Sequence, residues 1–154
     1  MTRLAILCFA LAGPSTTPAQ DQDAKRLAQD ILNQGSALFD TKDAAAMAAT
    51  YVEDAELSLI GKDQGSGTYK TQVTRGRDAI EKFYQNIFKD RQDGAKSRNV
   101  VEYAHFVGSD LLIVHGTFAP DADRGGAIPF VQVRARRGEK WLMMSLQLFL
   151  VSEP

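Results

Sequence analysis

The most informative pattern of apolar and polar positions lies at the C-terminal end. From Ile128 to Val151 two apolar runs flank Arg136-Arg137-Gly138-Glu139-Lys140. In the first, Val131, Val133 and Ala135 alternate with Gln132, Arg134 and Arg136, the period-two signature of a strand with one dry and one wet face. The second, Trp141 to Leu150, is apolar at nearly every position, as a central strand covered on both faces would be. Together they predict a long β-hairpin. Gly138 in third place suits a type I turn followed by a left-handed glycine bulge. That register sets Val131, Val133 and Ala135 on one side with Trp141, Met143, Ser145 and Gln147. It leaves Leu142, Met144, Leu146 and Leu148 beside Arg134 and Arg136. A two-residue Gly138-Glu139 turn would exchange the sets, because a one-residue slip inverts every side chain. In the first register Ser145 and Gln147 are polar points in an apolar wall, the make-up of a ligand pocket. The plainer reading is a polar group hydrogen-bonded to backbone inside a core.

Upstream, Leu27, Ala28, Ile31, Leu32, Gly35, Leu38 and Phe39 form a stripe of helical period that predicts a helix over Ala24 to Phe39. Asp40-Thr41-Lys42-Asp43 breaks it, and Thr41 or Asp43 can cap a second helix over Ala44 to Val52. Ala55 to Ile60 alternates as a short strand, and Gly61 to Gly67 is a polar glycine-rich loop. Tyr69 to Thr74 is compatible with another short strand. Ile80, Phe83, Tyr84, Ile87 and Phe88 then match the i, i+3, i+4, i+7, i+8 pattern of an amphipathic helix. Asn99 to Val107 and Leu111 to Ala119 predict a hairpin across Gly108-Ser109-Asp110, followed by a polar excursion from Pro120 to Ala127. Helices gathered early and an antiparallel meander late predict an α+β domain, with one sheet curling over a helical layer.

Composition narrows the function classes. A chain of 154 residues with 44% hydrophobic content can bury the core of one domain. Its net charge of -1, with basic and acidic residues interleaved, carries no footprint for nucleic acid. Residues 1–19 read as a secretory signal peptide: Arg3 gives a positive start, Leu4 to Ala12 an apolar segment, and Thr17-Pro18-Ala19 a small-x-small cleavage site. The apolar segment is too short to span a bilayer, so no stable membrane insertion is expected after cleavage. The single cysteine, Cys8, lies inside this segment. Residues 20–154 therefore hold no thiol, which excludes disulfides and thiolate chemistry and suits a periplasmic or secreted location.

A family resemblance emerges from the order of motifs. A helical hairpin ending in Tyr51-Val-Glu-Asp-Ala55 is followed by a strand, by Gly76-Arg-Asp-Ala-Ile80-x-x-Phe83, and by hairpins ending in a Gly-x-x-Trp141 strand. This resembles the SnoaL-like, ketosteroid-isomerase-like branch of the nuclear transport factor 2-like superfamily, over about residues 24–150. The resemblance implies a cone: a strongly curved, mostly antiparallel sheet wrapped around three helices, the cystatin-like fold, with a pocket in its mouth. Fold alone does not set function. Aligning the isomerase motifs puts Gly35 at the oxyanion-binding tyrosine, Leu59 at the carboxylate base and Val131 at the protonated aspartate. None of the three can supply a base or a hydrogen-bond donor, so ketosteroid isomerisation is not expected.

The remaining candidate chemistry sits on two strands. With a three-residue Gly108-Ser109-Asp110 loop, Tyr103 faces His115, with His105 on the same side, and the three could line the pocket as an acid-base group. With a two-residue loop the pair is Glu102 and His115, an ordinary cross-strand ion pair. Two histidines without a nearby carboxylate make a poor metal site, and no nucleophile triad or dinucleotide fingerprint points to a cofactor. Tyr51, Tyr103, Trp141, Ser145 and Gln147 are the expected ligand-binding residues, with His105 and His115 as candidate catalysts. Tyr69 and Tyr84 read as core or pocket-rim rings. Arg75 and Arg77 could meet a ligand carboxylate at the mouth, though solvated arginines before a helix are commoner. The expected protein is a small-molecule binder; the alternative is an interaction module. A row Leu142, Met144, Leu146, Leu148, Leu150 facing away from the helices would favour a homodimer through the sheet.

Overall fold

The computed structural model describes residues 18–150 apart from positions 64 and 125. The elements run α1 (Pro18–Asp40), α2 (Ala44–Ala48), β1 (Tyr51–Lys62), β2 (Tyr69–Arg75), α3 (Arg77–Asp90), β3 (Arg98–Val107), β4 (Leu111–Ala119), β5 (Ile128–Arg137) and β6 (Lys140–Leu150). The expected signal segment lies, except for its last two residues, outside the described residues. α1 begins earlier than its apolar stripe, with proline in the first turn, where a missing N–H costs nothing. The break after it is closed by Lys42 at a φ of 59°. Asp43 then caps α2, its carboxylate accepting from the Ala46 N–H at 2.9 Å.

α2 is shorter than the predicted Ala44 to Val52, and β1 is longer than Ala55 to Ile60. The reason is tertiary. β6 returns alongside this segment, so that Tyr51 pairs with Met143 and the Met143 N–H donates to the Thr50 carbonyl at 2.9 Å. A strand partner absent from the local sequence outcompetes the helical spacing of Met47 and Tyr51.

The strands form one six-stranded sheet in the order β2-β1-β6-β5-β4-β3, with β1 and β6 parallel and the other pairs antiparallel. β6 is therefore central, which accounts for its apolar character at nearly every position. α1 and α3 pack their stripes on the concave face. Ile80 and Tyr84 join Tyr51, Leu57, Leu112 and Val114 in the core. Gln29 on α1 acts as a short substitute strand against β3: its amide donates to the Asn99 carbonyl at 3.0 Å and accepts from the Val101 N–H at 2.9 Å. Those two backbone groups are satisfied without a neighbouring strand.

The hairpin registers decide which side chains point into the cone. Across Gly108-Ser109-Asp110, Val107 pairs with Leu111 and Tyr103 with His115, as the three-residue loop predicts. The last hairpin combines both turn geometries. Near the turn Arg137 pairs with Lys140 and Arg134 with Met143, the two-residue Gly138-Glu139 arrangement. A bulge then inserts one residue into β6, so that Val133 pairs with Ser145 and Val131 with Gln147, the set expected from the other register.

Candidate functional site

Between the helices and the concave face lies a cavity of about 910 Å³. Most of its lining is apolar. α1 contributes Leu27, Ile31 and Leu38, and β6 contributes Met143, Leu146, Leu148 and Leu150. The bulge in β6 keeps Met143 and Leu146 on the same wall although they are three residues apart. This corrects the expectation that Leu146, Leu148 and Leu150 belong to a row facing away from the helices. Gly35 also lines the cavity, and a Cβ built there would meet nothing within 4 Å.

Two buried polar groups of the wall, Gln132 and Arg134, come from β5, and they reverse the expectation from the sequence. Gln132 and Arg134 were expected on the wet face; they are 4% and 5% exposed and line the cavity. Val131 and Val133, expected to be dry, are only half-buried on the opposite face. The period of two holds, but the polarity is inverted, because the concave face encloses a cavity and the convex face is the one open to solvent. Within the wall, the Arg134 Nε–H donates to the Gln132 side-chain oxygen at 3.0 Å, and Nη1 donates to the Trp141 carbonyl at 3.2 Å. The two turn-proximal strand ends are thereby tied together. Desolvation pushes the guanidinium down to about 10, which leaves it cationic throughout the neutral range.

Behind this wall, the Tyr51 and Tyr84 hydroxyls share a hydrogen bond of 2.7 Å. Tyr84 lines the cavity, whereas Tyr51 is fully enclosed and does not reach it. Burial pushes the Tyr84 phenol up to about 12 and holds Tyr51 well above the ordinary tyrosine value, so both rings stay neutral at physiological pH.

Of the residues singled out in the sequence, Trp141 lines the cavity and packs at a tilt against Phe106, 5.9 Å between centroids. Tyr103, His105 and His115 do come together, with ring centroids 5.3 Å and 6.1 Å apart, but on the convex face. Ser145 and Gln147 lie on that face as well. A continuous row crosses all six strands there: Tyr103, His115, Val131, Gln147, Ser58 and Val73 are successive lateral partners. The proposed acid-base group and two expected binding residues are therefore separated from the cavity by the thickness of the sheet. The alternation along β3 and β4 was legible; which face is concave was not.

Of the three positions carried over from the isomerases, Gly35 and Leu59 line the cavity. Val131 points outward, and Phe130 and Gln132 take its place on the wall. Neither Arg75 nor Arg77 serves the cavity: Arg75 pairs with Glu56 at 2.7 Å, and Arg77 donates to the Tyr51 carbonyl at 2.8 Å. No group of three or more metal-ligating side chains occurs among the described residues.

No protein-family model matches the sequence, and none of the curated proteins matches it significantly. Solved structures do. A domain of unknown function with a cystatin-like fold from Nostoc punctiforme is similar at 18% identity with a TM-score of 0.60, covering 87% of this chain and 78% of that one. An NTF-2 like protein of unknown function from Shewanella oneidensis MR-1 is similar at 14% identity with a TM-score of 0.60, covering 83% and 98%. A putative calcium/calmodulin dependent protein kinase II association domain from Xanthomonas campestris is similar at 17% identity with a TM-score of 0.55, covering 96% and 99%. With its six-stranded mixed sheet curved over three helices, the chain has the nuclear transport factor 2-like, or cystatin-like, fold.

Proposed function

We propose that the protein is an exported small-molecule-binding domain of the SnoaL-like branch of this superfamily, and that its cavity takes up a small, largely apolar molecule. The observation that carries this reading is the cavity itself. At about 910 Å³ it is of ligand size, and its wall joins aliphatic side chains to a few buried polar groups. A module that used the fold only for docking would need no polar groups in that wall. Gly35 supplies the test. Gly35→Phe projects a ring into open space and removes a helix-interior glycine, which costs roughly 0.5–1 kcal/mol relative to alanine. The wild-type protein is expected to bind the neutral fluorophore phenylnaphthylamine. Gly35→Phe should abolish that binding while leaving the thermal unfolding midpoint unchanged or higher. Undiminished binding in the variant, or none in the wild type, would refute the cavity reading. For export, N-terminal sequencing of periplasmic or secreted material should begin near Gln20, and a mature protein that retains Met1 would rule it out.

A second reading concerns the convex face, where Tyr103 is 47% exposed, Val100 44%, Val107 43% and Val73 41%. We propose that a second copy of the chain covers it. The charged side chains on its central rows, Glu56 and Arg75, neutralise each other, so two copies can meet without like-charge repulsion. Sedimentation equilibrium at micromolar concentration should give a dimer. Val131→Asp, at the centre of the face, should give a folded monomer, and a monomeric wild type would remove this reading.

A further inference from the structure

The cavity wall holds a cation with no counter-ion among the described residues. Arg134 is buried, yet no carboxylate among the described residues forms an ion pair with it. Glu139, the acidic side chain on the cavity lining, is exposed in the hairpin turn and is not among its partners. The neighbouring Tyr51 and Tyr84 are neutral and supply no negative charge. Of the guanidinium's five N–H donors, Nε and Nη1 have the acceptors already described, and Nη2 has none among the described residues. Gln132 is in the same position. Its oxygen is occupied by Arg134 Nε, which fixes the amide's orientation and leaves its NH₂ group without an acceptor among the described residues. Two adjacent buried side chains thus present spare donors, and no described side chain or carbonyl beside them accepts.

A desolvated charge without a partner is expensive, and buried guanidinium groups in folded proteins are normally matched by an anion. The planar fork of arginine is suited to a carboxylate in two-point contact. We infer that Arg134 and Gln132 form an anion subsite in the cavity wall, and that the ligand is an amphiphilic monocarboxylate whose apolar body lies along the α1 and β6 side chains. This deepens the cavity reading and rests on it. A ligand of this class completes the hydrogen bonding of both side chains and neutralises the buried guanidinium.

Pairs of probes that share an apolar body and differ in the head group separate the two readings: decanoate against decanol, and naphthoate against naphthalenemethanol. Binding is measured at neutral pH by displacement of phenylnaphthylamine. In the wild type at least one carboxylate should bind about tenfold more tightly than its alcohol, about 1.4 kcal/mol. Arg134→Met should cancel that advantage while keeping alcohol affinity within about twofold. Arg134→Lys retains the charge without the fork and should keep part of the preference. Should Arg134→Met fail to fold, the wild-type pairs and Arg134→Lys still decide the matter. Equal affinity for acid and alcohol in the wild type, or an equal loss of both in Arg134→Met, overturns the anion subsite and leaves the cavity reading standing. Failure of every probe, the neutral fluorophore included, overturns both.

Discussion

Gly116→Ala should lower the stability of the protein by about 3 kcal/mol, at the upper end of the usual range for overpacking a core. Gly116 is a buried residue of β4, opposite Val101 on β3 and Phe130 on β5. An added Cβ would overlap the Val100 carbonyl oxygen and lie 2.9 Å from Phe130 Cζ. The aromatic ring could turn aside, but the carbonyl belongs to the backbone of a paired strand and cannot move without breaking the ladder. β3 carries its bulge immediately after, between Val101 and Tyr103, so the glycine sits where the sheet bends most closely over its own backbone. The urea unfolding midpoint is the measurement, with the slope m expected to stay constant. An unchanged midpoint would mean that the strands are not this close.

Arg91→Met should cost a similar amount, about 3 kcal/mol, through loss of an enclosed polar junction. Arg91 follows α3 and reaches back under the loop. Nη2 donates to the Asp40 carboxylate at 2.7 Å and to the Ala95 carbonyl at 2.8 Å, while Nη1 donates to the Pro120 carbonyl. The guanidinium also lies over the Phe39 ring at 4.5 Å from its centroid. The pair is enclosed, with the arginine and aspartate side chains 6% and 13% exposed. Methionine preserves the apolar stem but strands three acceptors, and Asp40 keeps only its bonds from the Ser97 N–H and hydroxyl. Combining Arg91→Met with Asp40→Asn should recover part of the loss. If the double variant is as unstable as the sum of the singles, the two side chains are not coupled as the geometry implies.

Both residues are hard to weigh in the sequence. Gly116 is one glycine in an alternating strand, and nothing local announces that another backbone will pass over it. Arg91 lies in a charged stretch just after α3. Its value comes from Asp40 and Pro120, which are distant in sequence and neighbours only after folding. The same limit applied to the cavity. The alternation Val131, Gln132, Val133, Arg134 was plain, and the ordinary inference put the polar set in water. In this fold the concave side of the sheet needs something to line a cavity and the convex side exposes its valines, so the customary assignment fails where function is concentrated.

What the sequence determined by itself is whatever depends on local periodicity and turn chemistry: three helices, the order of the elements, a hairpin across Gly108-Ser109-Asp110, and a central last strand apolar at nearly every position. These follow from spacings of two and 3.6 residues that no distant partner has to supply. Tertiary structure alone decided where α2 yields to β1, because that boundary depends on Met143 arriving beside Tyr51. It also decided that a bulge in β6 keeps Met143 and Leu146 on one wall, and that Arg134 is an enclosed cation rather than a solvated one. A strand's pattern states that its two faces differ, but only the curvature of the whole sheet and the helices laid across it determine which face is the inside.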